Sequence, residues 1–166
     1  MAAGEAEGEE GEVIREYFLG AEEVVGVAAD LLEQALDVHR ALGQQRAPGN
    51  ADVLPDLARI DRQQQRLDEA GQRLREALSI TIENRDASRE ADVRQLHGVV
   101  LGLSGRPGDG VREAQRAIAL LEQVEQPTGT RSAAALNSLG FILYQHRRYE
   151  EALVPWREAL ALYRRL

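Results

Sequence analysis

Residues 133–166 decide the fold, and they read AAALNSLGFILYQHRRYEEALVPWREALALYRRL. In each half of this stretch, apolar residues recur every three or four positions, which places them on one side of an α-helix. The first stripe comprises Leu136, Leu139, Gly140, Leu143 and Tyr144, and the second comprises Tyr149, Ala152, Leu153, Trp156, Ala159, Leu160 and Tyr163. Only a short polar corner, Gln145 to Arg148, separates them. The stretch therefore predicts two antiparallel helices forming a hairpin.

The composition indicates an all-α protein. Helix-forming Ala, Leu, Glu, Gln and Arg dominate, and aromatic residues make up only 4% of the chain. A length of 166 residues suits one domain. Residues 1–11 are acidic and rich in glycine, so we expect them to be disordered. Residues 12–166 are expected to form a single helical domain.

Charge and residue types exclude several functions. A net charge of −8 would repel phosphate backbones, which argues against nucleic-acid binding. The chain has no Lys and no Cys, so Schiff-base, thiolate and disulfide chemistry are excluded. No segment resembles a signal peptide or a membrane span, and we expect a cytoplasmic protein.

No catalytic or metal-binding pattern is present. The three histidines, His39, His97 and His146, each lack a second histidine three or four positions away. Glycine-rich residues 102–110 have neither the preceding strand nor the Lys-Ser or Lys-Thr of a phosphate-binding loop, and they predict a hairpin loop. We therefore expect a protein that is not an enzyme, with no cofactor, no metal and no catalytic residue.

The hairpin pattern recurs upstream in weaker form. Four hairpins are predicted, at about residues 12–43, 51–84, 88–126 and 130–166, and the first of them is partial. Equivalent positions are Ala28, Ala70, Ala114 and Ala152, at spacings of 42, 44 and 38 residues. In the third hairpin the second helix has two alternative registers, through Ala114, Ile118 and Leu121 or through Ala117, Leu121 and Val124.

The last hairpin resembles the tetratricopeptide repeat, a helix-turn-helix unit of about 34 residues. The residues that carry the resemblance are Leu139-Gly140, Tyr149-Glu150-Glu151-Ala152, Trp156 and Ala159-Leu160. The longer spacing, near 42, is similar to that of kinesin light chain and of bacterial regulatory members of the family. This resemblance implies a right-handed α-solenoid, with three full hairpins and a partial first one, that scaffolds a protein or peptide on its concave side.

The resemblance also implies which residues face the partner, because the first helix of each hairpin lines the concave side. It places there Asp52, Asp56, Arg59, Arg62, Gln63, Arg94, Gln95, Gly98, Leu101, Asn137, Ser138, Phe141, Tyr144 and Gln145. Those expected to bind the partner are Arg59, Arg62, Gln63, Arg94, Asn137, Phe141, Tyr144 and Gln145. A carboxylate clamp of the co-chaperone type is not expected, because Ala134 and Ser138 occupy two positions that would need cations.

Four features have alternative interpretations. Asp61 replaces an apolar residue, and it either turns the helix end outward or pairs with an arginine such as Arg85 or Arg89. His97 is expected to pack or form a hydrogen bond between helices, and Pro155 is expected to cause a modest bend. The apolar stripe continues to Tyr163 without a polar cap, which indicates either a longer protein or a structural role in homo-oligomerisation through the C-terminal helix.

Overall fold

The computed structural model describes residues 23–124 and 129–165, and within these ranges it contains seven α-helices and no strand. The described part of α1 covers residues 23–41. The other helices are α2 (Asn50–Gln63), α3 (Leu67–Glu83), α4 (Ala87–Leu103), α5 (Pro107–Val124), α6 (Thr130–Gln145) and α7 (Tyr149–Tyr163). The predicted all-α fold is confirmed. The expectations for residues 1–22, the acidic tail and the start of the first hairpin, lie outside the described residues.

One type of three-residue turn joins α2 to α3, α3 to α4, α4 to α5 and α6 to α7. Its middle residue has a left-handed backbone, with φ of 62° at Gln65, 55° at Arg85, 76° at Gly105 and 60° at Arg147. The residue after it donates its backbone N–H to a carbonyl five positions earlier, at 2.8 to 3.0 Å in all four turns. This is the Schellman arrangement, which satisfies the last carbonyls of a helix and reverses the chain.

The helices form two layers. Each helix from α2 to α7 packs on its neighbours in sequence, and α4 also contacts both α2 and α6. In the part of the chain that the structure describes, α3 does not contact α5 and α5 does not contact α7. Helices α2, α4 and α6 thus form a continuous inner layer, and α3, α5 and α7 lie on it as separated outer helices. This is the arrangement of an α-solenoid.

Glycine allows two close helix contacts. A Cβ atom on Gly110 of α5 would lie 2.6 Å from the carbonyl oxygen of Gly98 on α4, so the two backbones touch at this crossing. A Cβ atom on Gly140 of α6 would overlap the indole nitrogen of Trp156 on α7. The Leu139-Gly140 and Trp156 elements of the repeat pattern therefore form one contact, in which the indole lies over the glycine.

Asp61 is buried and holds the first three described helices together. Its Oδ1 accepts hydrogen bonds from Arg66 Nε at 3.0 Å and Nη2 at 2.5 Å, and its Oδ2 accepts one from Arg73 Nε at 2.7 Å. Arg73 of α3 also pairs with Glu33 of α1. Asp61 therefore pairs with arginines and does not turn outward, but its partners are Arg66 and Arg73 and not the suggested Arg85 or Arg89. Arg66 lies in the turn that directly follows α2. Arg89 instead pairs with Asp52 and Asp86.

The structure differs from the loop predicted over residues 102–110, because α4 continues to Leu103 and α5 already begins at Pro107. The helix begins at Pro107, since proline suits a first helical position, where no backbone N–H is needed. In this helix Ala114, Ala117 and Leu121 are buried, Ile118 is partly buried and Val124 is exposed, so the buried face takes residues from both predicted registers.

The expected burial of the α7 stripe is only partly realised. Ala152 and Ala159 are buried, whereas Tyr149, Leu153, Leu160 and Tyr163 are exposed. The small residues Ala152 and Ala159 thus lie in the interior, and Trp156 also packs on α6, over Gly140. The four exposed residues leave an apolar stripe on the surface of α7. Pro155 is buried within α7, which continues as one helix from Tyr149 to Tyr163.

Candidate functional site

A groove runs across the inner layer, with a volume of about 390 Å³. Side chains from α2, α4 and α6 line it, and one comes from α7. The lining residues are Arg59, Arg62, Asp92, Gln95, Leu96, Val99, Asn137, Ser138, Phe141 and Trp156. The groove is thus formed by one helix from each of three successive hairpins, which is where a bound segment could contact all three at once.

The groove carries more unpaired positive than negative charge. Arg59 Nη1 donates to Asp56 within its own helix, at 2.6 Å. Among the described residues, Arg62 has no ion pair, and its Nε is buried without a hydrogen-bond partner. The carboxylate in the groove, Asp92, is already paired with Arg131 at 2.9 Å. An anionic group entering the groove would therefore find Arg62 available.

The apolar part of the groove consists of Leu96, Val99, Phe141 and Trp156. Trp156 is held in place, because its Nε1 donates to the backbone carbonyl of Asn137 at 3.3 Å and its ring lies over Gly140. It is also the only tryptophan in the chain. A ligand that enters the groove should therefore change the tryptophan fluorescence of the whole protein.

Polar contacts join α4 to α6 within the groove and along the two helices. Gln95 Nε2 donates to Ser138 Oγ at 3.0 Å, and His146 Nε2 lies 2.8 Å from the carbonyl oxygen of Gly102. Arg131 Nη2 donates to the carbonyl oxygen of Ser88 at 2.6 Å. These contacts, spread along α4 and α6, make the groove preformed, and a preformed site reduces the entropy that binding must overcome.

Four of the eight predicted partner-binding residues lie in the groove: Arg59, Arg62, Asn137 and Phe141. Three others, Gln63, Tyr144 and Gln145, are exposed but do not line it. Of the wider set, Gln95 and Ser138 line the groove, whereas Gly98 and Leu101 are buried.

Arg94 lies away from the groove. It bridges Glu90 at 2.7 Å and Glu113 of α5 at 2.6 Å, and its side chain is largely buried. Burial by itself would lower the pKa of the Arg94 guanidinium, but the hydrogen bonds to the two glutamates outweigh it and raise that pKa. Arg94 therefore joins α4 to α5 and is not free to contact a partner.

Sequence reasoning did not assign Leu96, Val99 or Trp156 to the groove. Leu96 and Val99 belong to the apolar pattern of α4, which predicts a buried position, yet both are only half-buried. Trp156 lies on the second helix of its hairpin and reaches the groove past the small Gly140. That glycine was the signal in the sequence that could have indicated it.

Within residues 23–124 and 129–165, no group of three or more His, Asp or Glu side chains is placed to hold a metal ion. No helix in these ranges is both long and apolar enough to cross a membrane.

Residues 132–166 match the sequence model of the tetratricopeptide repeat. This match covers the C-terminal hairpin, formed by α6 and α7. No curated protein matches the chain significantly in sequence. Similarity to solved structures extends the assignment of the fold to the other hairpins.

The structure is similar to nearly identical TPR-like repeats assigned to a kinesin light chain of Podosopora anserina. The TM-score is 0.69 at 16% identity, over 87% of this chain and 69% of that chain. A point variant of the same repeats gives a TM-score of 0.71 at 16% identity, over 89% and 70% of the two chains. The structure is also similar to BtubC (BKLC) from P. vanneervenii, with a TM-score of 0.67 at 21% identity, over 87% of this chain and 57% of that chain.

These comparisons confirm the predicted resemblance to tetratricopeptide repeats and to kinesin light chain repeats. At these identities the structural similarity establishes the solenoid fold. Tetratricopeptide repeats generally mediate protein–protein interactions, and their families are typically not enzymes.

Proposed function

We propose that this protein is a scaffold or adaptor module that binds a peptide segment of a partner protein in the groove across α2, α4 and α6. The observation that carries the proposal is the preformed groove, with unpaired Arg62 beside an apolar floor. A groove of this size suits a few side chains of an extended or helical segment.

The partner segment should combine an acidic residue with an apolar one. Arg62 can donate two parallel hydrogen bonds to a carboxylate, which is a strong interaction in a partly desolvated site. Val99 and Phe141 offer a surface on which an aliphatic or aromatic side chain would be removed from water. Asn137 and Ser138 add polar groups that can contact the backbone of the segment.

The proposal can be tested by selecting binding peptides from a displayed random library and measuring their affinity through Trp156 fluorescence. Selected peptides should be enriched in Asp or Glu next to apolar residues. In the double variant R59A/R62A, the dissociation constant should rise about tenfold or more, because at least one charge-assisted interaction of about 1.5 to 3 kcal/mol is lost. Circular dichroism should show unchanged helicity.

The matched control is R157A, which removes an exposed arginine from α7 that does not line the groove. This variant should bind the selected peptides as the unchanged protein does. Peptides that bind R59A/R62A and the unchanged protein equally well would contradict the groove assignment.

A second candidate function is self-association through α7, and the exposed apolar stripe formed by Tyr149, Leu153, Leu160 and Tyr163 favours it. We propose a symmetric contact in which the stripes of two copies cover each other. Sedimentation at high protein concentration should then show a dimer, and L153E/L160E should restore the monomer. A monomer at all concentrations would refute this candidate and leave the groove proposal unaffected.

A further inference from the structure

A second pocket, which we call the outer pocket, lies on the opposite side of the solenoid from the groove, in the gap between α3 and α5. It has a volume of about 300 Å³. Its lining residues are Arg75, His97, Leu101, Arg106, Asp109, Arg112, Glu113 and Arg116. The backbones of α3 and α5 stay apart in the described part of the chain, and His97 and Leu101 of α4 form the floor of the gap between them.

The outer pocket is positive, in contrast to the two equivalent gaps beside it. Its lining includes four arginines but only two acidic residues, one aspartate and one glutamate. The gap between α1 and α3 has two arginines against three glutamates, and the gap between α5 and α7 has one arginine against two glutamates. In a chain with a net charge of −8, the middle gap is therefore distinct from its neighbours.

Several donors in the outer pocket remain available. Arg75 has no ion pair among the described residues and is exposed. Arg106 and Arg112 are both held by Asp109, and Arg116 is held by Glu113 at 2.8 Å. A guanidinium group has five N–H donors, so each of these paired arginines keeps donors that its carboxylate does not use.

The floor contains an unsatisfied polar group. His97 is only 8% exposed, and neither of its ring nitrogens has a hydrogen-bond partner in the described part of the chain. A buried polar nitrogen without a hydrogen-bond partner is unfavourable, because it has lost its bonds to water and gained none in return. Burial lowers the pKa of His97, Glu113 opposes this effect, and the nearby Arg75, Arg106 and Arg94 lower the pKa further.

We propose that the outer pocket binds a phosphoryl dianion, free or carried as a phosphate monoester, with Arg75 as the main guanidinium ligand and His97 as a donor from the floor. Arg112 and Arg116, one helical turn apart on α5, complete the ring of donors. On binding, the exposed arginine side chains change rotamer, and one phosphoryl oxygen accepts a hydrogen bond from the imidazole. The ligand thereby supplies a hydrogen-bond partner to the His97 imidazole, which has none in the described part of the chain.

A dianion fits this pocket better than a carboxylate does. A phosphoryl group has three acceptor oxygens at about −1.5 to −2 charge near pH 7, and it can bond several guanidinium groups at once. A carboxylate has two oxygens and a single charge, so it would leave some of these donors unpaired. Free phosphate and the phosphorylated side chain of a polypeptide share the required chemistry.

The test is an NMR titration of the three histidine rings with inorganic phosphate, O-phospho-L-serine and acetate, at constant ionic strength and neutral pH. The expected result is a saturable shift of the His97 resonance with phosphate and phosphoserine, and a rise in the His97 pKa. The resonances of His39 and His146 should not move. A lower dissociation constant for phosphoserine would assign the site to a phosphorylated polypeptide, and a lower one for inorganic phosphate would assign it to the free ion.

Two arginine variants complete the test. R75A should raise the dissociation constant for phosphate about tenfold, the loss expected for one charge-assisted hydrogen bond. R157A removes an arginine from α7 instead, and it should leave the dissociation constant for phosphate unchanged. The proposal is overturned if no saturable shift occurs, if acetate shifts His97 as much as phosphate does, or if R75A binds phosphate like the unchanged protein.

Discussion

The contact between Gly98 and Gly110 predicts opposite effects for two similar substitutions in α5. In Gly110→Ala, the new Cβ would lie 2.6 Å from the Gly98 carbonyl oxygen and 3.0 Å from the Gly102 nitrogen. Both neighbours are backbone atoms, which cannot rotate away. Ordinary contact begins near 3.4 Å, so α4 and α5 must separate by about 0.8 Å.

The magnitude follows from two opposing effects. Overpacking of this kind costs about 1 to 3 kcal/mol, and alanine gains up to about 1 kcal/mol over glycine in a helix. With the full helix gain subtracted, the net loss for Gly110→Ala is up to about 2 kcal/mol. For a chain of this length, that loss lowers the melting temperature by up to roughly 8 °C.

Gly108→Ala is the matched control, two residues earlier in the same helix. Its Cβ would meet only Arg112 Nη1, at 3.8 Å, which is ordinary contact. This variant should be as stable as the unchanged protein or more so, by up to about 1 kcal/mol. Thermal unfolding followed by circular dichroism measures both variants. The reasoning is refuted if Gly110→Ala raises the melting temperature as Gly108→Ala does.

Three further substitutions test the turn, the buried carboxylate and the buried imidazole. Arg85→Gly should raise the free energy of unfolding by about 1 kcal/mol, because glycine adopts the left-handed turn conformation without strain. A melting temperature below that of the unchanged protein would contradict this prediction. Asp61→Asn should lower the free energy of unfolding by about 1 to 3 kcal/mol. This loss is smaller than that for breaking a fully buried ion pair, because the arginine partners of Asp61 are partly exposed. An unchanged urea midpoint would contradict the prediction. Burial lowers the pKa of His97, so the unfolded chain binds the proton more tightly than the folded chain does, and stability should fall as the pH drops below about 6.5. In His97→Gln the free energy of unfolding should depend less on pH over this range. An equal pH dependence in the variant and the unchanged protein would contradict the prediction.

The helical architecture was predictable because its causes are local in sequence. Apolar residues at helical spacing define each buried face, and the short polar corners define the turns. The start of α5 was not predictable from such signals, since Pro107-Gly108-Asp109-Gly110 has the composition of a loop. Gly110 is there because Gly98 of another helix approaches it, and that approach is a tertiary contact.

The groove was predictable in part, and there the guide was the resemblance to the tetratricopeptide repeat. That resemblance implies that the first helix of each hairpin lines the concave side, and it placed Arg59, Arg62, Asn137 and Phe141 on the side where the groove lies. Arg94 satisfies the same rule but pairs with Glu113, which is 19 positions later on α5. Helical periodicity predicts the face of the helix on which a residue lies. It does not predict which charged residue of a neighbouring helix will pair with it.

NMR mapping of a bound peptide tests the central claim, that the inner-layer groove is the partner-binding site. A peptide selected from the displayed library is titrated into the isotope-labelled protein, and the perturbed resonances are located. We expect the largest shifts at Arg62, Val99 and Phe141, with the Trp156 indole N–H shifting in parallel. Shifts confined to α3 and α5, with the groove unperturbed, would contradict the claim.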